Sequence, residues 1–323
     1  MKEKYKLSII IPFYNSKAYI YDLYNFICEE LRGNNDIAIV FVDDGSTDGV
    51  SFPTEKNIYF IKKENGGVSS ARNEGVNFSN SEYVAFLDSD DTYLKDYLTK
   101  IQKMMAVLDA DNSIGLALFS FYKDNEKINF PAEALGKLKS SRVLRYFFDK
   151  KIKLHICSCL IRRTIIGENS ISFNKNLHYF EDLDYLINVL LSSTNIQISN
   201  DSYYLYNDRA GSAVNKPIGI DYLTTMQYLS TTFITQAPHT LQNDIKFYVG
   251  NFYLYTLKQI MNNGLSSELR LVDLIKNYSK CPMFLSFEKK FFSLRALGFN
   301  TLILISKSIV KLRQALISIK LIK

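Results

Sequence analysis

The sequence predicts an α/β fold with a mostly parallel central sheet, followed by an α-helical C-terminal region. The strand candidates in the first part of the chain are continuous apolar runs, which are typical of parallel strands covered on both faces. These runs alternate with segments of helical periodicity, as in a sheet with helices on each side. From about residue 216 the periodicity is helical and no strand candidate follows. We therefore expect two domains, residues 1–215 and residues 216–323.

The first elements follow from the positions of the apolar residues. A β-branched run stopped by Pro12 predicts the first strand, and the glycine pair Gly66-Gly67 predicts the entry to a helix. The predicted elements are strands at 7–12, 37–42, 58–61 and 83–87, and helices at 17–32 and 68–78. Acidic and other polar residues cluster at the carboxyl ends of these strands, among them Asp43, Asp44 and Asp88. Because ligands bind outside the carboxyl ends of parallel strands, these residues are expected to share one site.

The chain beyond residue 93 continues the alternation less regularly. A polar, irregular stretch covers about 123–137, and the apolar spacing after Phe180-Glu181-Asp182 predicts a helix. The predicted elements are a helix at 94–108, strands at 114–122, 155–161 and 202–206, a helix from about 183, and helices at 221–236, 241–262 and 266–279. We expect a domain boundary near residue 215.

Cysteine usage and the chain start indicate a cytosolic protein. The four cysteines form no C-x-x-C pair and no disulfide framework, which indicates a reducing compartment. Cys157 and Cys159 are expected to alternate along one buried strand, an interpretation that we favour over a soft-metal site. The N-terminus has no signal-peptide core, and no run of 18 or more apolar residues occurs.

The C-terminal tail, about residues 286–323, has a composition typical of a helix that lies on a membrane. From residue 291 onward it contains six basic and no acidic residues, interleaved with Leu, Ile and Phe. This pattern predicts a contact with anionic lipid and a peripheral location on the inner face of the cell membrane. The alternative is a bundle helix with a solvated basic face. No feature of the chain points to nucleic acid, and a homo-oligomer through the helical region stays open.

The segment Asp88-Ser89-Asp90-Asp91 follows an apolar strand and presents three carboxylates within four residues. A divalent Mg²⁺ or Mn²⁺ ion held by one or two carboxylates keeps positions open for phosphate oxygens. The alternative is a strand end followed by a helix capped by Asp91. Taken alone, the segment does not decide between these two interpretations.

Two further elements suit a nucleoside diphosphate. Free N–H groups at the Gly66-Gly67 helix start, together with Arg72, suit a phosphate. Asp44 can accept hydrogen bonds from a ribose or a base. A Walker loop is excluded because its motif is absent, and the first strand ends in Pro12 instead of a G-x-G-x-x-G loop.

These residues together resemble family 2 glycosyltransferases, which are inverting enzymes of the GT-A fold. The resemblance covers about residues 7–215. It is carried by four ordered motifs: Ser8-Ile9-Ile10-Ile11-Pro12-Phe13-Tyr14-Asn15, Val42-Asp43-Asp44-Gly45-Ser46-Thr47-Asp48, Asn65-Gly66-Gly67 with Ala71-Arg72-Asn73, and Phe86-Leu87-Asp88-Ser89-Asp90-Asp91.

The resemblance implies a role for each matching residue. Pro12, Tyr14 and Asp44 would line the nucleoside pocket, with Asp44 facing the base, and Arg72 would lie near the base or the phosphates. Asp88 would approach the ribose and Asp90 would ligate Mn²⁺ or Mg²⁺, with Asp88 as a second candidate ligand. Arg209 and Ser212, in Arg209-Ala210-Gly211-Ser212, resemble the loop that closes over the pyrophosphate.

Asp182 is similar to the family's general base, which deprotonates the acceptor hydroxyl. Direct displacement with inversion needs one carboxylate on the acceptor side and no protein nucleophile, which supports this assignment independently. An N-cap role for Asp182 could hold at the same time, and Glu181 and Asp184 are alternates. His155 and His178 could contact phosphate or acceptor, although a lone histidine is more often structural.

Processive family members carry a Q-x-x-R-W motif and membrane spans, and this chain contains no Trp. The resemblance therefore implies transfer of a single sugar, from a UDP-sugar, to a hydroxyl of a glycan or lipid-linked glycan in cell-surface polysaccharide synthesis. Two alternatives stay open. One is a catalytically inactive relative that acts as a membrane-associated assembly partner, and the other is a sugar-nucleotide pyrophosphorylase, against which the Pro12 loop argues.

Overall fold

A computed structural model of the chain describes residues 3–53, 55–206, 220–246, 248, 249 and 252. The chain divides into two compact units, Met1–Val214 and Asn215–Lys323. Each unit is described by itself below. The C-terminal tail and the predicted helix at 266–279 lie outside the described residues.

The first unit alternates strands and helices along the chain. Its strands are β1 (Tyr5–Phe13), β2 (Ile37–Asp43), β3 (Ile58–Lys62), β4 (Ser81–Phe86), β5 (Thr92–Tyr93), β6 (Ile114–Lys123), β7 (Glu126–Ile128), β8 (Gly136–Lys139), β9 (Cys159–Arg162) and β10 (Asn195–Tyr206). Its helices are α1 (Ile20–Glu30), α2 (Val68–Phe78), α3 (Tyr97–Ala110), α4 (Ser140–Phe148), α5 (Arg163–Glu168) and α6 (Glu181–Ser192).

These strands form one mixed sheet in the order β3-β2-β1-β4-β9-β6-β10-β5, with β7 on β6 and β8 on β10. The long pairs are parallel: β1 with β2 and β4, β2 with β3, and β6 with β10. The short pairs, including both pairs made by β9, are antiparallel. The predicted α/β class with a mostly parallel sheet is confirmed.

The centre of the sheet is covered on both faces, as the apolar runs predict. Every residue of β2 is buried, and in β1 only Lys6 is partly exposed. Helix α2 packs tightly on these two strands at Gly75, where an added Cβ would overlap Ile10 and lie 3.2 Å from Val42 Cγ2. This close approach fixes α2 on the sheet and places Arg72, three residues earlier, beside the carboxyl ends of the strands.

Several predicted boundaries differ from the structure. The strand predicted at 155–161 is a 3-10 turn at Ile156–Ser158 followed by the short β9, so the expected alternation of Cys157 and Cys159 along one strand is wrong. Both thiols are nevertheless buried and free. The strand predicted at 202–206 begins at Asn195, because its first half pairs with β6 and β8. The short helices α4 and α5 were not predicted.

In the second unit, the described part contains helix α7 (Ile220–Gln236) and a 3-10 turn, His239–Leu241. Met226, Leu229 and Phe233 are buried at helical spacing in α7. Across the described ranges, we find no helix with the length and apolarity that a membrane crossing requires.

Candidate active site

A cleft of about 270 Å³ opens where β1, β2 and β4 end and α2 begins. It lies outside the carboxyl ends of parallel strands, where α/β sheets bind ligands. Six residues singled out from the sequence line it: Pro12, Tyr14, Asp44, Arg72, Asp88 and Asp90. Tyr14 is half exposed, whereas Asp44 and Arg72 are buried in the cleft wall. Sequence motifs that are widely separated along the chain therefore meet at one surface.

Asp44 is tied to the start of α2. Its carboxylate accepts hydrogen bonds from the backbone N–H groups of Gly66, at 3.1 Å, and Gly67, at 2.7 Å, and from Lys63 Nζ at 2.7 Å. Gly67 has φ of 83°, a conformation that side chains rarely adopt. The expectation that the Gly66-Gly67 N–H groups are free for a phosphate is wrong, because the Asp44 carboxylate takes them.

The first two motifs are joined by Asn15. Its side-chain oxygen accepts a hydrogen bond from Thr47 N–H at 2.9 Å, and its backbone N–H donates to Ser46 Oγ at 2.9 Å. Asn15 has φ of 49°, which Asn tolerates better than most residues. The loop after β1 and the turn after β2 therefore form one rigid wall.

Arg72 joins the two acidic motifs. Its Nη2 donates to Asp88 Oδ1 at 2.9 Å, and its Nη1 donates to Glu181 Oε1 at 3.4 Å. The guanidinium also lies over the Phe173 ring, with Cζ 5.3 Å from the ring centroid. Only 4% of Arg72 is exposed. The partners of Arg72 in the structure are the carboxylate after β4 and the first residue of α6. Its predicted position near the base or the phosphates stays a prediction.

The electrostatics of Asp88 follow from these contacts. Burial by itself raises the pKa of Asp88, but the charge and hydrogen bond of the Arg72 guanidinium outweigh it and hold this pKa below its usual value. Asp88 is therefore a carboxylate at neutral pH, which is the form that a cation or a ribose hydroxyl requires.

Asp91 is fixed by a chain of hydrogen bonds from the other side of the sheet. Tyr204 Oη, on β10, donates to Asp91 Oδ2 at 2.5 Å and lies 3.2 Å from His155 Nε2. His155 Nδ1 accepts the backbone N–H of Cys157 at 3.3 Å. With Nδ1 as an acceptor, the proton lies on Nε2 and the imidazole is neutral. Burial likewise lowers the pKa of His155, although Asp88 and Asp182 partly offset it.

The turn after β4 is compatible with a divalent cation. Asp88 and Asp90 supply carboxylate oxygens to the same cleft wall, the ligand type that Mg²⁺ and Mn²⁺ prefer. Within the described residues, no group of three or more His, Cys, Asp or Glu side chains is arranged to hold a metal. A cation here would take its remaining ligands from a bound diphosphate. The alternative of a helix capped by Asp91 is wrong, because Thr92–Tyr93 is a strand and α3 begins at Tyr97.

The start of α6 presents a second acidic group. Phe180 precedes it with φ of 60°, a strained conformation for an aromatic residue, and the helix begins at Glu181. Asp182 therefore lies in the first turn, and the expected N-cap role for Asp182 is wrong. Burial and the neighbouring Asp182 charge raise the pKa of Glu181, partly offset by Arg72. Asp184 is buried, and this raises its pKa to about 6.

The remaining predicted residues lie elsewhere. Asp182 is half-buried beside Glu181, and it does not line the cleft described above. His178 is exposed. Arg209 and Ser212 lie outside the described residues. Sequence reasoning missed the roles of Tyr204 and Asn15 and the pairing of Glu181 with Arg72, because no spacing rule links residues so far apart.

Comparisons with known proteins identify relatives of the part of the chain that forms this cleft. The family model described as "Glycosyl transferase family 2" matches residues 8–168. The glycosyltransferase GlyG of Streptococcus pneumoniae is 25% identical over 231 residues, covering 67% of this chain and 75% of GlyG. The minor teichoic acid biosynthesis protein GgaA of Bacillus subtilis is 28% identical, covering 62% of this chain but only 47% of GgaA.

Two solved structures share the fold. Staphylococcus aureus TarS 1-349, in a complex with UDP-GlcNAc, aligns with a TM-score of 0.69 at 18% identity and covers 96% of this chain and 92% of that one. The mannosyltransferase PcManGT of Pyrobaculum calidifontis, in a complex with GDP-Man and Mn²⁺, aligns with a TM-score of 0.55 at 15% identity and covers 97% of this chain and 87% of that one. Residues 8–168, which form the cleft, are therefore a glycosyl transferase family 2 domain.

Proposed function

We propose that the protein transfers one sugar from a UDP-sugar to a hydroxyl of a glycan or lipid-linked glycan, with inversion at the anomeric carbon and with Mn²⁺ or Mg²⁺. One observation carries the proposal. The cleft at the strand ends gathers Asp44, Arg72, Asp88 and Asp90, and Arg72 joins this group to Glu181, the neighbour of Asp182.

The donor would occupy the cleft. Pro12, Tyr14 and Asp44 would contact the nucleoside, and Asp88 would approach the ribose. UDP is supported as the nucleotide by the fold shared with TarS, which binds UDP-GlcNAc. Arg209 and Ser212 would close over the diphosphate.

Asp90, with Asp88, would hold the metal on the diphosphate. A bound cation would neutralise the charge that develops on the leaving diphosphate. The Mn²⁺ complex of PcManGT supports this expectation through the shared fold.

Asp182 would act as the general base. In the proposed reaction the acceptor oxygen forms a bond to the anomeric carbon, the bond from that carbon to the diphosphate oxygen breaks, and Asp182 takes the hydroxyl proton. Glu181 is less suited to this role because its carboxylate is engaged by Arg72 at 3.4 Å. Asp182 Oδ1 accepts the backbone N–H of Leu183 at 2.7 Å, and this contact orients the carboxylate.

The acceptor would belong to a surface polysaccharide, as the name of the relative GgaA suggests for that protein. We propose that residues 216–323 form a helical domain whose basic tail contacts the cytoplasmic face of the membrane. Removal of residues 286–323 should then release the protein from the membrane fraction, and retention there would contradict the tail's role. Homo-oligomerisation through the helical region is part of the same proposal.

The function is tested by hydrolysis of a panel of nucleotide sugars with Mn²⁺ and with EDTA. We expect slow UDP release from one donor, lost in EDTA and in Asp90→Ala. Exposed Asp201→Ala serves as a matched control that should keep full activity. If no donor turns over and calorimetry detects no metal-dependent UDP binding, the proposal fails.

A further inference from the structure

Helix α4 and the segment that follows it form a strongly basic surface. Residues 136–155 contain seven Lys and Arg residues and one acid, so their net charge equals the +6 of the whole chain, and the other residues together are neutral. All seven cations are exposed, and we call five of them the basic ridge: Lys139, Arg142, Lys150, Lys151 and Lys153. Outside the C-terminal tail, this segment therefore carries a marked local excess of positive charge.

The ridge is organised around a buried tyrosine. Arg142 donates from Nε and Nη2 to Tyr146 Oη, at 3.0 and 2.8 Å. The Arg142 guanidinium and the Lys151 ammonium lie 5.4 and 5.5 Å from the centroid of the same ring. Cation–π contacts of this kind hold two like charges close together without neutralising them. The ridge is thus more ordered than a set of independent surface lysines.

The cations of the ridge differ from their neighbour Lys137 in their charge environment. In the part of the chain that the structure describes, no ion pair joins any of the five to a carboxylate. The neighbouring Lys137, by contrast, pairs with Asp111 at 2.8 Å. Unneutralised charges of one sign repel each other and attract anions from solution. The local electrostatics therefore favour an anionic ligand.

The chain that carries the ridge runs from the end of α6 to His155, beside the candidate active site. Ser140 Oγ, at the start of α4, donates to the Leu190 carbonyl near the end of α6. The chain after α4 then runs to His155, which bonds Tyr204 and whose pKa is sensitive to the Asp182 charge. Lys153 precedes His155 by two residues. A long ligand on the ridge would therefore extend toward the proposed general base.

The apolar residues of α4 decide between two kinds of anionic partner. A helix that lies in a membrane interface presents its apolar side chains to lipid. In α4 those side chains, Val143, Leu144, Phe147 and Phe148, are buried inside the protein, and only polar residues face outward. The surface therefore suits a hydrated polyanion better than a bilayer.

We propose that the basic ridge binds a phosphate-bearing, polyanionic stretch of the acceptor glycan and guides its terminal hydroxyl to Asp182. This inference rests on the proposed function, because it assigns an acceptor to the same site. Binding would be electrostatic and would weaken with salt. The proposal concerns the chemical class of the acceptor, a chain that carries phosphodiester or similar anionic groups.

The test measures binding of fluorescent inorganic polyphosphate to the full chain at several salt concentrations. The triple variant Arg142→Gln, Lys151→Gln, Lys153→Gln should bind about tenfold more weakly, with the slope of log Kd against log salt reduced by about two, as expected when three cations no longer contact phosphates. The control triple variant Lys56→Gln, Lys95→Gln, Lys103→Gln removes the same charge from exposed positions outside the ridge. It should bind polyphosphate as the wild type does.

Equal weakening in both triple variants would overturn the inference, because it would show an effect of net charge alone. Ridge-dependent binding to phosphatidylglycerol vesicles, without binding to polyphosphate, would overturn it in favour of a membrane surface. Calorimetry of UDP with Mn²⁺ separates the two proposals. If the wild type binds UDP and the ridge variant keeps full polyphosphate affinity, the role of the ridge is rejected and the proposed donor site is not. If the wild type does not bind UDP, the proposed donor site is rejected.

Discussion

The contact of Arg72 with Asp88 and Glu181 gives the most direct test of how the site is assembled. Changing Arg72 to Met keeps an apolar side chain over the Phe173 ring but leaves two carboxylates without their cation. Removing one partner from a buried charge group costs about 3–5 kcal/mol of the free energy of unfolding. We therefore expect Arg72→Met to destabilise the first unit by that amount.

The coupling between Arg72 and Glu181 can be estimated separately. Two unit charges 3.4 Å apart interact by about 5 kcal/mol at an effective dielectric constant of 20, and desolvation and the second partner reduce the net value. A double-mutant cycle with Arg72→Met and Glu181→Gln should give a coupling energy of about 1–3 kcal/mol. Urea unfolding followed by tyrosine fluorescence provides the measurement, since the chain has 22 Tyr and no Trp.

A matched cycle on the exposed pair Lys137 and Asp111 provides the control. Its atoms are 2.8 Å apart, but the lysine side chain is 52% exposed, so we expect a coupling energy well below that of the buried pair. A coupling for Arg72 and Glu181 as small as that of the surface pair would refute the reasoning. The lowered pKa of Asp88 adds a second check. Because its pKa is lowered in the folded state, ionised Asp88 stabilises the fold at pH values above its ordinary pKa. This stabilisation is lost as the pH falls, and the loss should be smaller in Arg72→Met.

Three further changes test other parts of the site. Tyr204→Phe keeps the ring but removes the hydrogen bond that holds Asp91, the residue next to the proposed ligand Asp90. The Mn²⁺ concentration for half-maximal donor turnover should therefore rise about tenfold, and an unchanged metal titration would contradict this. Asp184, with its pKa raised to about 6, destabilises the fold when it ionises, so its contribution should lower the wild-type stability as the pH rises from about 4 to 7. Asp184→Asn should remove up to about 3 kcal/mol of this decrease. Parallel pH profiles of thermal unfolding for the two proteins would show the reasoning to be wrong. Gly67→Ala, at φ of 83°, should lower stability by about 1–3 kcal/mol because it strains the backbone that bonds Asp44, and an unchanged melting temperature would argue against it.

The parts of the fold that the sequence predicted well are those with local signals. The helix expected at 68–78 is found at Val68–Phe78, because a glycine pair opens it and Ser79 leaves the helical conformation. The buried strand expected at 37–42 is found one residue longer. The meeting of Asp44, Arg72 and Asp88 was predictable as well, because parallel strands bring their carboxyl ends to one edge.

The parts that escaped prediction depend on contacts between distant residues. Glu181 pairs with Arg72 across 109 positions, and Tyr204 bonds Asp91 across 113. No periodicity encodes such pairs, since only the packed sheet brings β10 beside the turn after β4. The occupancy of the Gly66 and Gly67 N–H groups by Asp44 was missed for the same reason. A motif identifies which hydrogen-bonding groups are present, but not which of them are already bonded to other groups of the protein.

The hydrogen-bond chain from Cys157 to Asp91 turns His155 into a native spectroscopic probe. The protein contains three histidines, so the NMR spectrum of its imidazole nitrogens is simple enough to assign by single substitutions. His155 should remain in one neutral tautomer, because burial lowers its pKa and its Nδ1 accepts the Cys157 N–H. Because Tyr204 connects the ring to the carboxylates after β4, cation or nucleotide binding would change its nitrogen shifts. Site occupancy could then be followed by NMR without a label inside the cleft.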